Sequence, residues 1–275
     1  MSFIEEIIGM FSYSFMVRAI VVGSLVALCA SLLGVVLVLK RYSMIGDGLS
    51  HVGFGAMAVG LAFNQAPLIV AIPVVIVAAF LLLRVSENSK IKGDAAIGLI
   101  SSSALAIGMI VNSISSGTNI DLNSYMFGSI LAIDKGEMVL CIVLGIVIIG
   151  AFVYFYNPIF AITFDENFAR ATGLKVEMYK TILSVLTAIT IVIGMRIMGT
   201  LLISSLIIFP ALSAMRVTKK FKTVMIVSVI ISMICFFAGL VGSYMMELPT
   251  GATIVVSNLV VFILMSVAGR IKGSN

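Results

Sequence analysis

Long apolar stretches leave this chain few ways to fold, because most of them approach the roughly 20 residues needed to cross about 30 Å of hydrocarbon. They run Phe15 to Leu39, Gly48 to Phe63, Ala66 to Leu83, Ala95 to Ser113, Glu137 to Tyr156, Met178 to Gly194, Gly199 to Met215, Val224 to Tyr244 and Ala252 to Ala268. Lipid offers a backbone no water to bond, so such segments close their hydrogen bonds internally, as helices. Of the 275 residues 61% are hydrophobic and 11% charged, whereas soluble domains are about a quarter charged. The fold class that follows is all-α: a polytopic membrane helix bundle of about nine transmembrane helices, with eight to ten admitted.

Residues 1–275 read as a single transmembrane domain, without low-complexity tract, internal repeat or appended soluble unit. The first segment lacks a cleavage-like small-residue site and is expected to be a retained span. Gly48 to Phe63 is short and glycine-rich, which suits a helix approached closely by neighbours. Met178 to Met215 reads either as two crossings or as one kinked excursion, and Pro210 within it is expected to kink or break its helix and free a carbonyl.

Nine alternating crossings place 14 of the 17 basic residues on one side: Lys40 and Arg41, Arg84, Lys90 and Lys92, Arg170, Lys175 and Lys180, Arg216, Lys219, Lys220 and Lys222, then Arg270 and Lys272. Only Arg18, Lys135 and Arg196 fall on the other. The excess marks the cytoplasmic side, with the N-terminus outside and the C-terminus cytoplasmic. The net charge of +5 is thereby a matter of topology, and no nucleic acid is expected as a partner. Cys29, Cys141 and Cys235 stand apart in apolar helices and read as small buried hydrophobes. The 17 methionines show no ligand spacing and read as flexible packing.

The lone histidine, His51, follows Asp47 by four residues, about one helical turn, so carboxylate and imidazole share a helix face. An ionisable pair at the edge of hydrocarbon is costly unless it meets partners or a water-filled path, and it marks a candidate metal site. Nitrogen with oxygen donors suits zinc or manganese, and the lack of clustered thiolates argues against copper(I). The competing reading makes His51 a core donor to a backbone carbonyl and Asp47 an N-cap. Ser50, Ser101, Asn112 and Pro210 are candidates for lining a path; the polar residues of the Ser101 to Ser113 stretch serve equally well as bonds between helices. The segment Ser115 to Tyr125, with Asn119, Asp121 and Asn123, reads as a solvated loop, with contact to a partner outside the membrane or coordination of a passing metal as the alternatives.

The connection spanning about 157–177 holds a candidate helix from Thr163 to Leu174, about two turns long, capped by Thr163 or Asp165 and stopped at Gly173. It is either a docking element for a cytoplasmic partner, through Phe164, Asp165, Glu166, Phe168, Ala169, Gly173 and Leu174, or an interfacial helix lying on lipid.

Four segments carry a family resemblance: Lys40 to His51, Gly93 to Gly98, Thr163 to Leu174, and Gly199 to Leu202 leading to Pro210 and Ala211. Through them the chain resembles, over nearly its whole length, the membrane permeases of bacterial zinc and manganese ABC importers. The resemblance implies a type II ABC importer-like permease in a bacterial cell membrane, with a pore formed by two copies of the chain. It further implies a cytoplasmic ABC ATPase dimer that binds ATP, an extracellular metal-binding protein, and a Thr163 to Leu174 coupling helix. No cofactor resides in such a chain; the zinc or manganese ion is cargo, with manganese or iron as alternatives. Leu122 to Ile130 resembles zinc permeases of Gram-positive bacteria more than manganese ones. The absence of a Gly-x-x-x-x-Gly-Lys-[Ser/Thr] loop agrees that ATP is hydrolysed elsewhere. Two rival classes are an ion-coupled secondary cation transporter, with Asp47 as proton or sodium site, and an intramembrane protease, for which no His-Glu-x-x-His is present.

Overall fold

A computed structural model describes residues 9, 12–88, 93–114, 128 and 135–271. Its helices are α1 (Ser14–Leu39), α2 (Ile45–Ala62), α3 (Pro67–Asn88), α4 (Gly93–Ile114), α5 (Lys135–Tyr154), α6 (Tyr156–Phe164), α7 (Glu166–Ala171), α8 (Val176–Met198), α9 (Thr200–Val217), α10 (Phe221–Met246) and α11 (Thr250–Ile271). Among the described residues nine of these are 18 residues or longer, and they coincide with the nine apolar stretches. Seven, α1, α4, α5, α8, α9, α10 and α11, are long and apolar enough to cross a membrane by length and composition. From α3 the stretch Pro67–Leu82 qualifies as a shorter apolar helix. The remaining one, α2, is the glycine-rich helix that carries Asp47 and His51.

The layers follow from burial. In α1 and α8 67% of the most apolar window is buried, against 11% in α4 and 17% in α11, so the first two form the centre and the others the rim. Without a hydrophobic drive between helices in lipid, close backbone approach and interhelical hydrogen bonds hold the centre. The Ile207 carbonyl of α9 lies against Gly34 of α1, and the Ala104 carbonyl of α4 against Gly55 of α2. Ser232 of α10 donates to the Ala27 carbonyl at 3.1 Å. Other hydroxyls bond back along their own helix, as Thr190 does to Leu186 at 2.8 Å. All three cysteines are free and buried, as their isolation implied.

Residues 178–215 form two crossings, not one. Gly23, Val26 and Gly34 follow one another along α1; Met198 lies by Gly23 and Gly194 by Val26, so α8 runs opposite to α1. Ile203 lies by Gly194 and Ile207 by Gly34, so α9 runs back with α1. The reversal takes one residue, Gly199 at φ 86° and ψ 163°, a conformation that a side chain would resist. Pro210 does not break α9, which runs through it to Val217, although its missing N–H leaves the Leu206 carbonyl without the usual donor. At the same end as Gly199, Arg196 pairs with Glu137 at 3.1 Å, tying α8 to the start of α5.

A Cβ built on Gly55 would sit 2.5 Å from the Ala104 oxygen, whereas one on Gly150 meets nothing within 4 Å. Gly55→Ala therefore lowers the unfolding temperature of detergent-solubilised protein, in keeping with an overpacking cost of about 1–3 kcal/mol. Gly150→Ala leaves it unchanged or raises it, since alanine is the better helix former by about 1 kcal/mol.

Candidate functional site

Asp47 and His51 stand on the first two turns of α2. The helix opens at Ile45 after Met44, three residues earlier than the apolar pattern places it, so Asp47 lies inside the first turn. The expectation that Asp47 caps the helix is corrected: Met44 occupies the cap position and no side chain closes it. Asp47 Oδ2 lies 3.7 Å from His51 Nε2, beyond hydrogen-bond reach. The His51 side chain is 22% exposed and that of Asp47 40%, while Gly48, Leu49 and Ser50 between them are buried. Both side chains are therefore partly exposed on one face of the helix. Ser50 does not join them; its hydroxyl donates to the Asp47 carbonyl at 2.7 Å.

Among the described residues no group of three or more His, Cys, Asp or Glu gathers at one place. Two donors on one helix turn are too few for a closed zinc site. Ser101 is half-buried on α4, which packs along α2, and its hydroxyl lies 3.4 Å from the Gly98 carbonyl. Asn112, two residues from the end of α4, buries an Oδ1 that has no hydrogen-bond partner. Pro210 is buried inside α9. The segments Ser115 to Tyr125 and Leu122 to Ile130 lie outside the described residues, Gly128 excepted.

At one end of the bundle, residues 157–177 form two helices where one was expected. Phe164 ends α6, and Asp165 caps α7 by accepting the Phe168 N–H at 2.9 Å. Thr163 is not the cap: its hydroxyl donates to Ile159 at 2.6 Å, inside α6. At six residues α7 is shorter than the two turns expected. It stops at Gly173, whose φ of 86° lets Gly173 and Leu174 donate to Arg170 and Ala169, both at 3.1 Å. Ala169 is fully buried against Ile162 and Val176, with Leu174 half-buried beside them, whereas Phe164 and Phe168 are exposed. Of the residues read as docking contacts, Ala169 therefore faces inward.

Glu166 faces inward too. Its two oxygens each meet an ammonium group at 2.6 Å, Lys40 from the end of α1 and Lys180 from α8. Lys40 also donates to the Ile162 carbonyl at 3.2 Å. Burial opposes ionisation of Glu166, and the hydrogen bonds from Lys180 and Lys40 outweigh it, holding the carboxyl below the usual carboxylate range. A depressed folded-state value means that this contribution to stability is complete above the ordinary glutamate range and is lost only as pH falls through the lowered one. Sequence reasoning missed the triad by reading Lys40 and Lys180 only as topology markers; alternation of Glu166, Arg170, Glu177 and Lys180 within one connection was the available signal. It also missed the rings of Tyr156, Phe160 and Phe164 gathered around Phe221 of α10.

Residues 12–269 match the ABC 3 transport family. The chain belongs to that family. It is 27% identical over 246 residues to the "High-affinity zinc uptake system membrane protein ZnuB" of Haemophilus influenzae, covering 90% of this chain and 94% of that one. It is 29% identical over 259 residues to the "Manganese import system permease protein ScaB" of Streptococcus gordonii, covering 94% and 93%. Among solved structures it superposes on "PsaBC from Streptococcus pneumoniae in complex with Fab" with a TM-score of 0.86 at 29% identity, covering 96% of this chain and 95% of that one. The kinship expected from the four segments is confirmed. This ABC 3 member is the membrane subunit of a transporter and not itself an enzyme; ATP hydrolysis belongs to a separate chain.

Asp165→Ala removes the cap of α7, a loss worth about 0.5–2 kcal/mol. Limited trypsin digestion then cuts faster after Arg170 and Lys175, and Asp165→Asn, which can still accept the Phe168 N–H, restores most of the resistance.

Proposed function

We propose that this chain is the pore-forming permease of an ATP-driven importer of divalent transition-metal ions, working as a homodimer with zinc as its preferred cargo over manganese. The Asp47–His51 half-site is the observation that carries the reading. Two copies facing across a two-fold axis supply two carboxylates and two imidazoles, enough to hold a borderline metal in a site that opens and closes as the protomers move. The exposed face of α4 beside it supports a partner copy, because Ser102, Ser103 and Ser113 would otherwise present hydroxyls to hydrocarbon. Zinc and manganese both occur in the relatives' names, and imidazole ligation favours zinc.

In this reading the exposed Phe164 and Phe168 seat α7 in a groove of the cytoplasmic ATPase, and a metal-binding protein delivers the ion from outside. The basic end of the bundle, with Lys40, Arg170 and Lys180, is then cytoplasmic, and the N-terminus outside.

The test is metal uptake by vesicles holding the permease, its ATPase and its binding protein, under competing zinc and manganese. His51→Ala and Asp47→Ala each lower uptake at least about tenfold, the lower limit for losing even a group that only supports a ligand. Unchanged uptake in both variants would remove the half-site from the mechanism, and uptake without ATP would identify an ion-coupled transporter instead. Phe168→Asp abolishes co-purification with the ATPase, as expected of an aromatic anchor worth about 2 kcal/mol or more.

A further inference from the structure

We propose that Glu166, Lys40 and Lys180 form a charge clamp that carries displacement of α7 into the half-site on α2, with Glu166 as its positioning residue. The inference rests on the reading of α7 as the docking helix, and concerns what lies behind that helix rather than what it touches. Docking face and clamp lie on the same short element: Phe168 is exposed, whereas the Glu166 carboxylate two residues earlier turns inward. Force applied to the outer face reaches the bundle through that carboxylate.

Each ammonium group leads to α2 by a stiff route. Lys40 closes α1, and the turn beyond it is tightly bonded: Lys40 N–H to Val36, Arg41 N–H to Val38 and Tyr42 N–H to Leu37, at 2.8–3.0 Å. The Ile45 N–H then bonds Tyr42 at 3.0 Å as α2 begins, so Asp47 follows Lys40 by seven residues without a flexible linker. Lys180 sits near the start of α8, and further along that helix Met195 packs against Gly53 of α2. One carboxylate thus grips two helices that both bear on the helix of Asp47 and His51.

Anchoring alone does not require this arrangement. Ala169 already seats α7 on Ile162 and Val176 by apolar contact. The lysine side chains are only 7% and 12% exposed, and lysines so covered are rare unless paired. Removing one arm frees a helix from α7 while the other arm and the apolar seat remain, so docking and transport come apart.

The experiment uses the full transporter in proteoliposomes, with zinc and manganese as separate probes, and measures metal imported and ATP hydrolysed in the same vesicles. Lys40→Gln and Lys180→Gln each keep the ATPase bound and hydrolysing within about twofold, while metal imported per ATP falls at least about tenfold, within the usual range of coupling between sites. The triple exchange of Lys40→Glu and Lys180→Glu with Glu166→Lys rebuilds both arms with reversed sign and recovers most of the ratio. A wild-type ratio in both single variants overturns the clamp, as does loss of bound ATPase in proportion to transport. Where a single variant fails to fold, the exchange decides: a folded, pumping exchange supports the clamp, and a folded one that docks without pumping overturns it. Failure of wild-type protein to retain an ATPase would instead refute the docking reading.

Discussion

The seating of α2 governs the rest of the structure, because a helix bearing a carboxylate and an imidazole has to be held inside a lipid-facing bundle without the hydrophobic effect to hold it there. Its glycines answer that need. Gly53 receives Met195, Gly55 receives the backbone of α4 and Gly48 receives Ile97, so the helix is enclosed at backbone distance by α3, α4, α8 and α9. Contact this close gives dispersion and weak Cα–H contacts their full strength. The face left open is that of Asp47 and His51. Small residues thus do two things in one helix: they hold it, and they leave its polar edge as the exposed part.

The same economy explains where ionisable groups occur. Along the bundle interior hydroxyls such as those of Thr190 and Ser232 bond backward or across to carbonyls, and among the described residues the ion pairs that join helices lie at the ends. Glu137 with Arg196 ties one end, and Glu166 with Lys40 and Lys180 ties the other. Each cluster joins helices distant in sequence, which matters more in lipid than in water because packing between apolar faces discriminates poorly among partners. Ion pairs at the rim fix which helices meet; the small residues fix how closely.

Much of this was legible in the sequence. The nine stretches coincide with nine long helices because the bilayer sets both length and polarity, two quantities a sequence displays directly. The cap was narrowed to Thr163 or Asp165 and Gly173 was legible as the stop, since each is a local device whose partners lie within a few residues. What escaped depended on meeting residues far away. Lys40 and Glu166 are 126 positions apart, and nothing local to Lys40 distinguishes a clamp from a topology signal. The Gly199 reversal escaped for another reason: one glycine between apolar runs is compatible with a kink or a hairpin, and only the register of Met198, Gly194, Ile203 and Ile207 against α1 separates the two.

In the proposed reading the choice of metal is a matter of donor chemistry. A carboxylate and an imidazole per chain admit zinc, manganese and iron, the imidazole favouring zinc, and geometry and the number of donors discriminate further. A half-site open on one side has neither fixed until it is completed. An importer built as proposed would gain by that openness: a complete, rigid site in the membrane would bind its ion too well to release it, whereas two donors on each of two moving faces would be strong together and weak apart. In the proposed reading the permease contributes a site whose strength would depend on the position of α2.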